Sequence, residues 1–283
     1  MADVDRAAAP SPRDGYTAEQ VRAAERPLLA AGEPLMQRAA LALTDEVGRL
    51  VASAGGSFHD STTAASPSAR RETTPTGGGG ATDAALRPLV VVLVGSGDNG
   101  GDALFAGAHL AARGADVRIV AVGSRLHEGG AAAAHAAGAT DLDPGDAETF
   151  DRVVASADVL IDGILGIGAA ASPALRGTAR EVVARVRAVL GPEWVARAGH
   201  GTRHPLVVAV DLPSGISPDD GRVPDPTVLP ADVTVTMGAV KGGLLFGPAV
   251  EFVGRIVLVD LGLGAALAGV QPVVTSGWRH ELP

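Results

Sequence analysis

The chain has 283 residues, a net charge of −9 and a pI near 5.2, so it presents no basic footprint for nucleic acid. With no cysteine it has no disulfide, no thiolate zinc site and no thiol nucleophile. No run approaches the ~18 apolar residues of a membrane span, and the acidic start Met1 to Arg6 lacks the apolar stretch of an export signal. The expectation is a soluble cytoplasmic protein in which residues 1–283 make one α/β domain with insertions.

Residues 1–15 are polar, with Pro10 and Pro12, and read as a loose tail. Thr17-Ala-Glu-Gln20 fits a capping box and starts a helix reaching Ala30. Pro34 suits the first turn of a second helix, in which Leu35, Ala39, Leu43, Val47 and Leu50 recur at helical spacing. Residues 53–88 are rich in Ser, Thr, Gly and Ala and cannot bury enough surface to offset their ordering entropy. They read as a disordered insertion in which His59, Arg70 and Arg71 are solvated.

Leu89 to Val94 is an uninterrupted apolar run, the pattern of a strand buried on both faces. It stops in Gly-Ser-Gly-Asp-Asn-Gly-Gly-Asp, with a helix expected from about Gly101. Gly95, Gly97 and Gly100 formally satisfy the dinucleotide fingerprint. Asp98 and Asp102, however, place two carboxylates where a diphosphate would meet bare N–H groups. Either a cation offsets them or no phosphate lies directly on this turn. Leu104 to Ala112 continues as helix to the stop at Arg113-Gly114.

Asp116 to Val122 reads as the second strand. It ends in Gly123-Ser124-Arg125, without the acid that usually grips a ribose, although Arg125 could meet a 2′-phosphate. Gly129 to Ala137 is helical, and Val154 to Leu160 leads into a third strand ending Asp162-Gly-Ile-Leu-Gly166-Ile-Gly168. Arg180 to Leu190 is helical and residues 191–204 form a second, short insertion. Then come strand Leu206 to Val210, Asp211-Leu-Pro-Ser214-Gly215, strand Val233 to Met237, Lys241-Gly-Gly, strand Arg255 to Asp260, and a tail at 271–283. Strands alternating with helices imply a Rossmann-like αβα sandwich, a mostly parallel sheet covered on both faces, behind an N-terminal helical pair. Successive strand ends would gather Asp98, Asn99, Asp102, Asp162, Asp211 and Ser214 at the carboxyl edge. Such an oxygen-rich set suits a hard cation and not zinc or copper.

The loop 95–103 resembles the signature of the NAD(P)H-hydrate epimerase family, Gly-x-Gly-Asn-Asn-Gly-Gly-Asp-Gly, with Asp98 for the first Asn and Ala103 for the last Gly. Asp162 to Gly168, Asp211 to Gly215 and Lys241 match further motifs, so the resemblance spans residues 16–265 apart from the insertions. It implies that the protein interconverts the R and S epimers of NADHX and NADPHX, the hydrated nicotinamide nucleotides. It also implies a potassium ion held by Asn99, Asp162 and Ser214, with backbone carbonyls near Gly166 completing the shell. Substrate contacts would come from Asp98, Asn99, Gly100, Gly101, Asp102 and Asp211, and from Gly166, Ile167, Gly168, Ala169, Ala170, Ala171 and Ser172. The stretch 169–175 is blander than the family's loop, which leaves Arg176 as a candidate for the pyrophosphate.

The reaction needs an acid to help the C6 oxygen leave, a stabilised ring cation, and a base to activate water on the other face. Asp211 is the candidate for charge stabilisation and proton transfer, and Lys241 for balancing the carboxylates or a phosphate. The resemblance further implies a homodimer, with the helical pair used for dimer contacts in some members, and a separate or fused dehydratase as partner. The chain stops soon after Leu263 with no kinase-like domain and should consume no nucleotide. Two rival readings are a Rossmann-type NADP oxidoreductase, resting on the three glycines, and a non-catalytic nucleotide-binding or scaffold module.

Long surface insertions cost little closure entropy. A chain lacking residues 53–88, bridged by a short Gly/Ser linker, is therefore expected to fold and keep its activity. Loss of the cooperative melting transition would show that the segment is structural.

Overall fold

The computed structural model of the protein describes residues 10–54, 87–192 and 205–275. Most of residues 53–88, the second insertion from residue 193 to 204, and residues 276–283 of the tail lie outside the described residues, as do His59, Arg70 and Arg71.

The capping box forms as read. The Thr17 hydroxyl accepts from Gln20 N at 3.1 Å and Thr17 N donates to Gln20 Oε1 at 2.8 Å, starting helix α1 (Ala18–Ala30). Helix α2 (Leu35–Ser53) follows, with Leu35, Ala39, Leu43 and Val47 inward. Strand β2 (Leu89–Val94) is followed by helix α3 (Asp98–Ala112), which begins three residues earlier than Gly101. The Gly-Gly-Asp part of the loop is thus already helical. It stays compatible with helix because Gly100 and Gly101 pack where no side chain fits.

Strand β3 (Asp116–Ala121), helix α4 (Glu128–Ala136), strand β4 (Thr140–Asp141) and helix α5 (Ala147–Ser156) come next. Helix α5 corrects the reading of 154–160 as a lead into a strand. Val154 is a buried helical residue one turn after Phe150, and the Asp146 carboxylate caps Thr149 N at 3.2 Å. Strand β5 (Val159–Gly163), helix α6 (Gly177–Leu190), strands β6 (Leu206–Val210), β7 (Val233–Met237), β8 (Val240–Lys241) and β9 (Arg255–Val259), and helix α7 (Gly264–Leu267) complete the body.

The expected parallel sheet has seven strands in the order β4-β3-β2-β5-β6-β7-β9, every adjacent pair parallel. Alternate residues of its strands feed two cores. Val90, Val92, Ile161 and Val208 pack under α1, α2 and α3, whereas Val91, Leu93, Leu160 and Val207 meet α5 and α6. Burying each such Val or Leu contributes about 1.5–3 kcal/mol, and a strand that does so on both sides has no room for polar alternation.

A second sheet takes in Asp14 and Gly15 of the stretch 1–15 read as a loose tail, and Val274 and Thr275 of the C-terminal tail; residues 1–9 lie outside the described residues. Strand β1 (Asp14–Tyr16) lies between β8 and strand β10 (Val274–Thr275), with Tyr16 opposite Lys241 and Asp14 opposite Thr275. Three-residue strands at chain ends carry no legible periodicity.

The sheet order reverses between β2 and β5, because the chain runs outward from β2 through β3 to β4 and returns to β5 on the other side. Loops diverge at such a point and leave a crevice at the carboxyl ends. The crevice here is tight at its base, since a Cβ on Gly95 would stand 1.9 Å from the Ile164 carbonyl oxygen. Gly95→Ala therefore forces two backbones apart. Overpacking of this kind is expected to cost about 3 kcal/mol, read as a melting temperature lower by roughly 6–12 °C. An unchanged melt would mean that the two loops are not held in contact.

Candidate functional site

The floor of the crevice is a polar knot. Asp162, at the end of β5, sits in register with Leu93 and Ala209 and is completely buried. Its carboxylate accepts from Ser214 Oγ at 2.6 Å, from Ser214 N at 2.8 Å and from Ile164 N at 3.3 Å. Burial pushes the carboxyl above its ordinary range, and the Ser214 and Ile164 donors pull it back only in part. Ser214 Oγ accepts from Leu165 N at 2.8 Å, so one hydroxyl ties the β6 loop to the β5 loop. Asn99 completes the knot from α3, its Nδ2 donating to Val210 O at 2.6 Å and Leu165 O at 3.2 Å. A Cβ on Gly166 would fall 2.1 Å from Asn99 Oδ1, so the glycine there is a matter of space.

Beside the knot stands a buried ion pair. Asp211 is only 4% exposed and Lys241 only 1%. Lys241 Nζ donates to Asp211 Oδ1, to Met237 O at 2.7 Å and to Thr236 Oγ at 3.3 Å. Met237 N donates to the same Asp211 Oδ1 at 3.2 Å. Two charges out of water are tolerable only when paired and bonded in this way. Asp211 has a φ of +69°, the one non-glycine residue with positive φ among those described. Asp and Asn enter this region more readily than other side chains, and single outliers concentrate at functional sites.

Above the floor opens a cleft of about 610 Å³. Asp98, Asn99 and Asp102 of α3 line it, with Ile167 and Gly168 from the β5 loop, Asp211 and Met237. The far wall is α1, which contributes Glu19, Arg22, Glu25, Arg26 and Leu29. Arg22 reaches across to the Ile167 carbonyl and fastens that wall to the loop. Asp102 is 8% exposed and accepts no hydrogen bond among the described residues. Burial pushes its carboxyl well above the usual range, and Asp211, Asp98 and Glu25 add to the shift against a smaller opposing effect of Lys241. Glu25 is raised as well, first by burial and then by Asp211 and Asp98, with Lys241 and Arg22 opposing.

Of the residues singled out from sequence, Asp98, Asn99, Asp102, Ile167, Gly168 and Asp211 face this cleft. Asp162, Ser214 and Lys241 lie beneath it. Gly100 and Gly101 face packing partners instead, as a Cβ on them would meet Gly95 O at 2.2 Å and Met36 Cε at 2.9 Å. Ala169, Ala170, Ala171 and Ser172 are not among the lining residues, and Arg176, held by Ser172, is not either. Arg125 is an exposed side chain outside the cleft. Sequence reasoning missed Arg22, Glu25 and Arg26. Their i, i+3 and i+4 spacing puts them on one stripe of α1, but a charged stripe reads as a solvated face until something is known to lie against it.

Residues 32–243 match the family described as YjeF-related protein N-terminus. The chain is 44% identical to the NAD(P)H-hydrate epimerase of Clavibacter michiganensis subsp. michiganensis over 92% of its length and 95% of the relative's. It is 47% identical to the NAD(P)H-hydrate epimerase of Clavibacter sepedonicus, over 92% and 94%. A bifunctional NAD(P)H-hydrate repair enzyme of Mycobacterium tuberculosis is 36% identical over 90% of this chain but 42% of its own length. The chain belongs to the YjeF-related N-terminal family. The crystal structure of yeast ynu0, 17% identical, covers 86% of both chains with a TM-score of 0.59 and shows the same fold.

Proposed function

We propose that the protein is an NAD(P)H-hydrate epimerase, an isomerase that exchanges the R and S forms of NADHX and NADPHX. The observation that carries this reading is a cleft at the switch point on which four acidic side chains converge: Asp98, Asp102, Asp211 and Glu25. Such a site favours a positively charged ring and disfavours a phosphate on the glycine turn. Arg22 and Arg26, on the α1 rim, supply the positive charge suited to the substrate's pyrophosphate. A ribose-gripping acid is missing after β3, which argues against the oxidoreductase alternative. In the aqueous interior of the cell the protein would act with a dehydratase, separate or fused, and assemble as a homodimer. Among the described residues no helix is long and apolar enough to cross a membrane.

In this reading Asp211, which lines the cleft, stabilises the ring cation. Lys241 occupies Asp211 Oδ1 together with Met237 N, which leaves Oδ2 for the substrate or for water. Lys241 is thus a positioning residue beneath the cleft and holds Asp211 in its left-handed conformation.

The knot also fits a potassium ion. Asn99, Asp162 and Ser214 together with the Leu165 and Val210 carbonyls form an all-oxygen set of the kind a hard cation takes. Turning the Asn99 amide over would aim Oδ1 at the same two carbonyls, an arrangement that a cation makes favourable. When bound, such an ion would balance the buried Asp162 charge and stiffen the two loops. Because it would bind only the folded chain, replacing potassium by lithium at constant ionic strength should lower the melting temperature and the exchange rate. Equal melts and rates in the two salts would exclude the ion.

Asn adopts positive φ as readily as Asp, so Asp211→Asn keeps the turn, but it leaves the buried Lys241 ammonium without its counter-charge and should lower the melting temperature. The variant is expected to stay folded and bind NADHX while R/S exchange, followed by separating the epimers chromatographically, falls by roughly 10²-fold or more. Near wild-type exchange would remove Asp211 from the chemistry.

A further inference from the structure

Asp211 cannot supply both faces of the ring. Epimerisation at C6 requires a proton given on the face that loses oxygen and a proton taken on the face that gains it. Asp211 is fixed on the floor by Lys241, Thr236 and Met237. The cleft is lined by a second carboxyl of a different kind. Asp102 projects from the first turns of α3, is more than nine-tenths buried, lines the cleft and has no hydrogen-bonding partner among the described residues. An ionised carboxylate left like this would cost several kcal/mol. A neutral one would not, and it would carry a proton to donate.

Resting on the epimerase reading, we propose that Asp102 is a second catalytic residue, the acid–base group of the ring face opposite Asp211. In one direction Asp102 passes its proton to the C6 hydroxyl. The C6–O bond breaks with its pair on oxygen, water departs, and the N1 lone pair forms the C6–N1 double bond of the cation. Water then adds to C6 from the other face. Its oxygen pair makes the new C–O bond, the double-bond pair returns to N1, and the released proton goes to Asp211. The enzyme is left with Asp102 ionised and Asp211 protonated, which is the form that runs the reverse epimerisation. Exchange with solvent restores the starting form. Two carboxyls facing one cleft, one held by a lysine and one without a hydrogen-bond donor among the described residues, are what such alternation requires.

The charged groups that act on Asp102 are Asp98 on its own helix, Glu25 from α1, Asp211 after β6 and Lys241 of β8, and Glu19, Arg22 and Arg26 of α1 line the same cleft. Burial and the three carboxylates outweigh Lys241, so the direction is upward. Two consequences follow in sign. The protonated form, and with it the rate, is present at low pH and lost as pH rises through the raised value. Over the same window the folded chain holds a proton that the unfolded chain has released, so stability falls with rising pH. Asp102→Asn removes that burden.

The test compares wild type, Asp102→Asn and Asp102→Glu in potassium buffer from acidic to alkaline pH. Exchange of NADHX epimers in both directions, the NADHX-induced rise in melting temperature, and the melting temperature without ligand are measured. For Asp102→Asn we expect exchange at least about 10²-fold slower both ways, retained NADHX binding, no alkaline fall in the residual rate, and a melting temperature at pH 8 no lower than wild type. Asp102→Glu should recover part of the rate together with the alkaline fall. An Asn variant that exchanges like wild type, that fails to bind NADHX, or that melts well below wild type overturns the proposal. Absence of exchange in the wild type itself would instead overturn the epimerase reading.

Discussion

The architecture of the site follows from one steric constraint, the contact between the loop after β2 and the loop after β5. With Gly95 against Ile164, Gly163 against Ala103 and Gly166 against Asn99, no Cβ fits at any of the three positions. The backbones can then approach closely enough for Asn99, Asp162 and Ser214 to bond across the switch point. The close contact makes the knot possible, and the knot in turn fixes the start of α3, which carries Asp102, and the β6 loop, which carries Asp211. Buried polar groups are costly unless every one is satisfied, so the loop positions are tightly specified.

Two carboxylates end up with opposite surroundings. Asp211 is held by a buried lysine and a backbone amide, in a backbone conformation that few side chains share. Asp102 is enclosed without a donor. Pairs of titratable groups whose environments differ in this way commonly divide acid and base work between them. The α1 wall adds a third element. Its arginines and Glu25 give the rim mixed charge, so one end of an elongated anionic ligand can meet cations while the floor stays negative.

Most of the sheet was legible in the chain. Leu89–Val94 and Leu206–Val210 are apolar without interruption, and only a strand covered on both sides needs that. The capping box at Thr17 and the glycine after Arg113 gave helix ends to within a residue. Helix α5 was lost because its apolar face is narrow, with Phe150 and Val154 its buried residues, and because Val154 stands so close to the apolar strand after it. Asp146 with Thr149 was a capping signal that could have marked it. On the site, the residues after strand ends could be found because topology gathers them whatever their spacing. The α1 stripe could not, since which face a helix turns to a cleft is decided by packing against residues as distant along the chain as Asp98 and Met237. Nor could the blandness of 169–172 show that this stretch is absent from the cleft lining.

The short sheet that joins the two ends of the chain also sets an order of assembly. Strand β1 pairs with β8 and with β10, and Ala18 N donates to Asp219 Oδ1 at 2.6 Å. Every one of these partners lies at least 200 residues downstream. Contacts so distant in sequence form slowly, and during synthesis they cannot form until the later segment has left the ribosome. Val21 and Ala24 already pack α1 onto the central strands, so what the far wall gains last is the clasp at its N-terminal end.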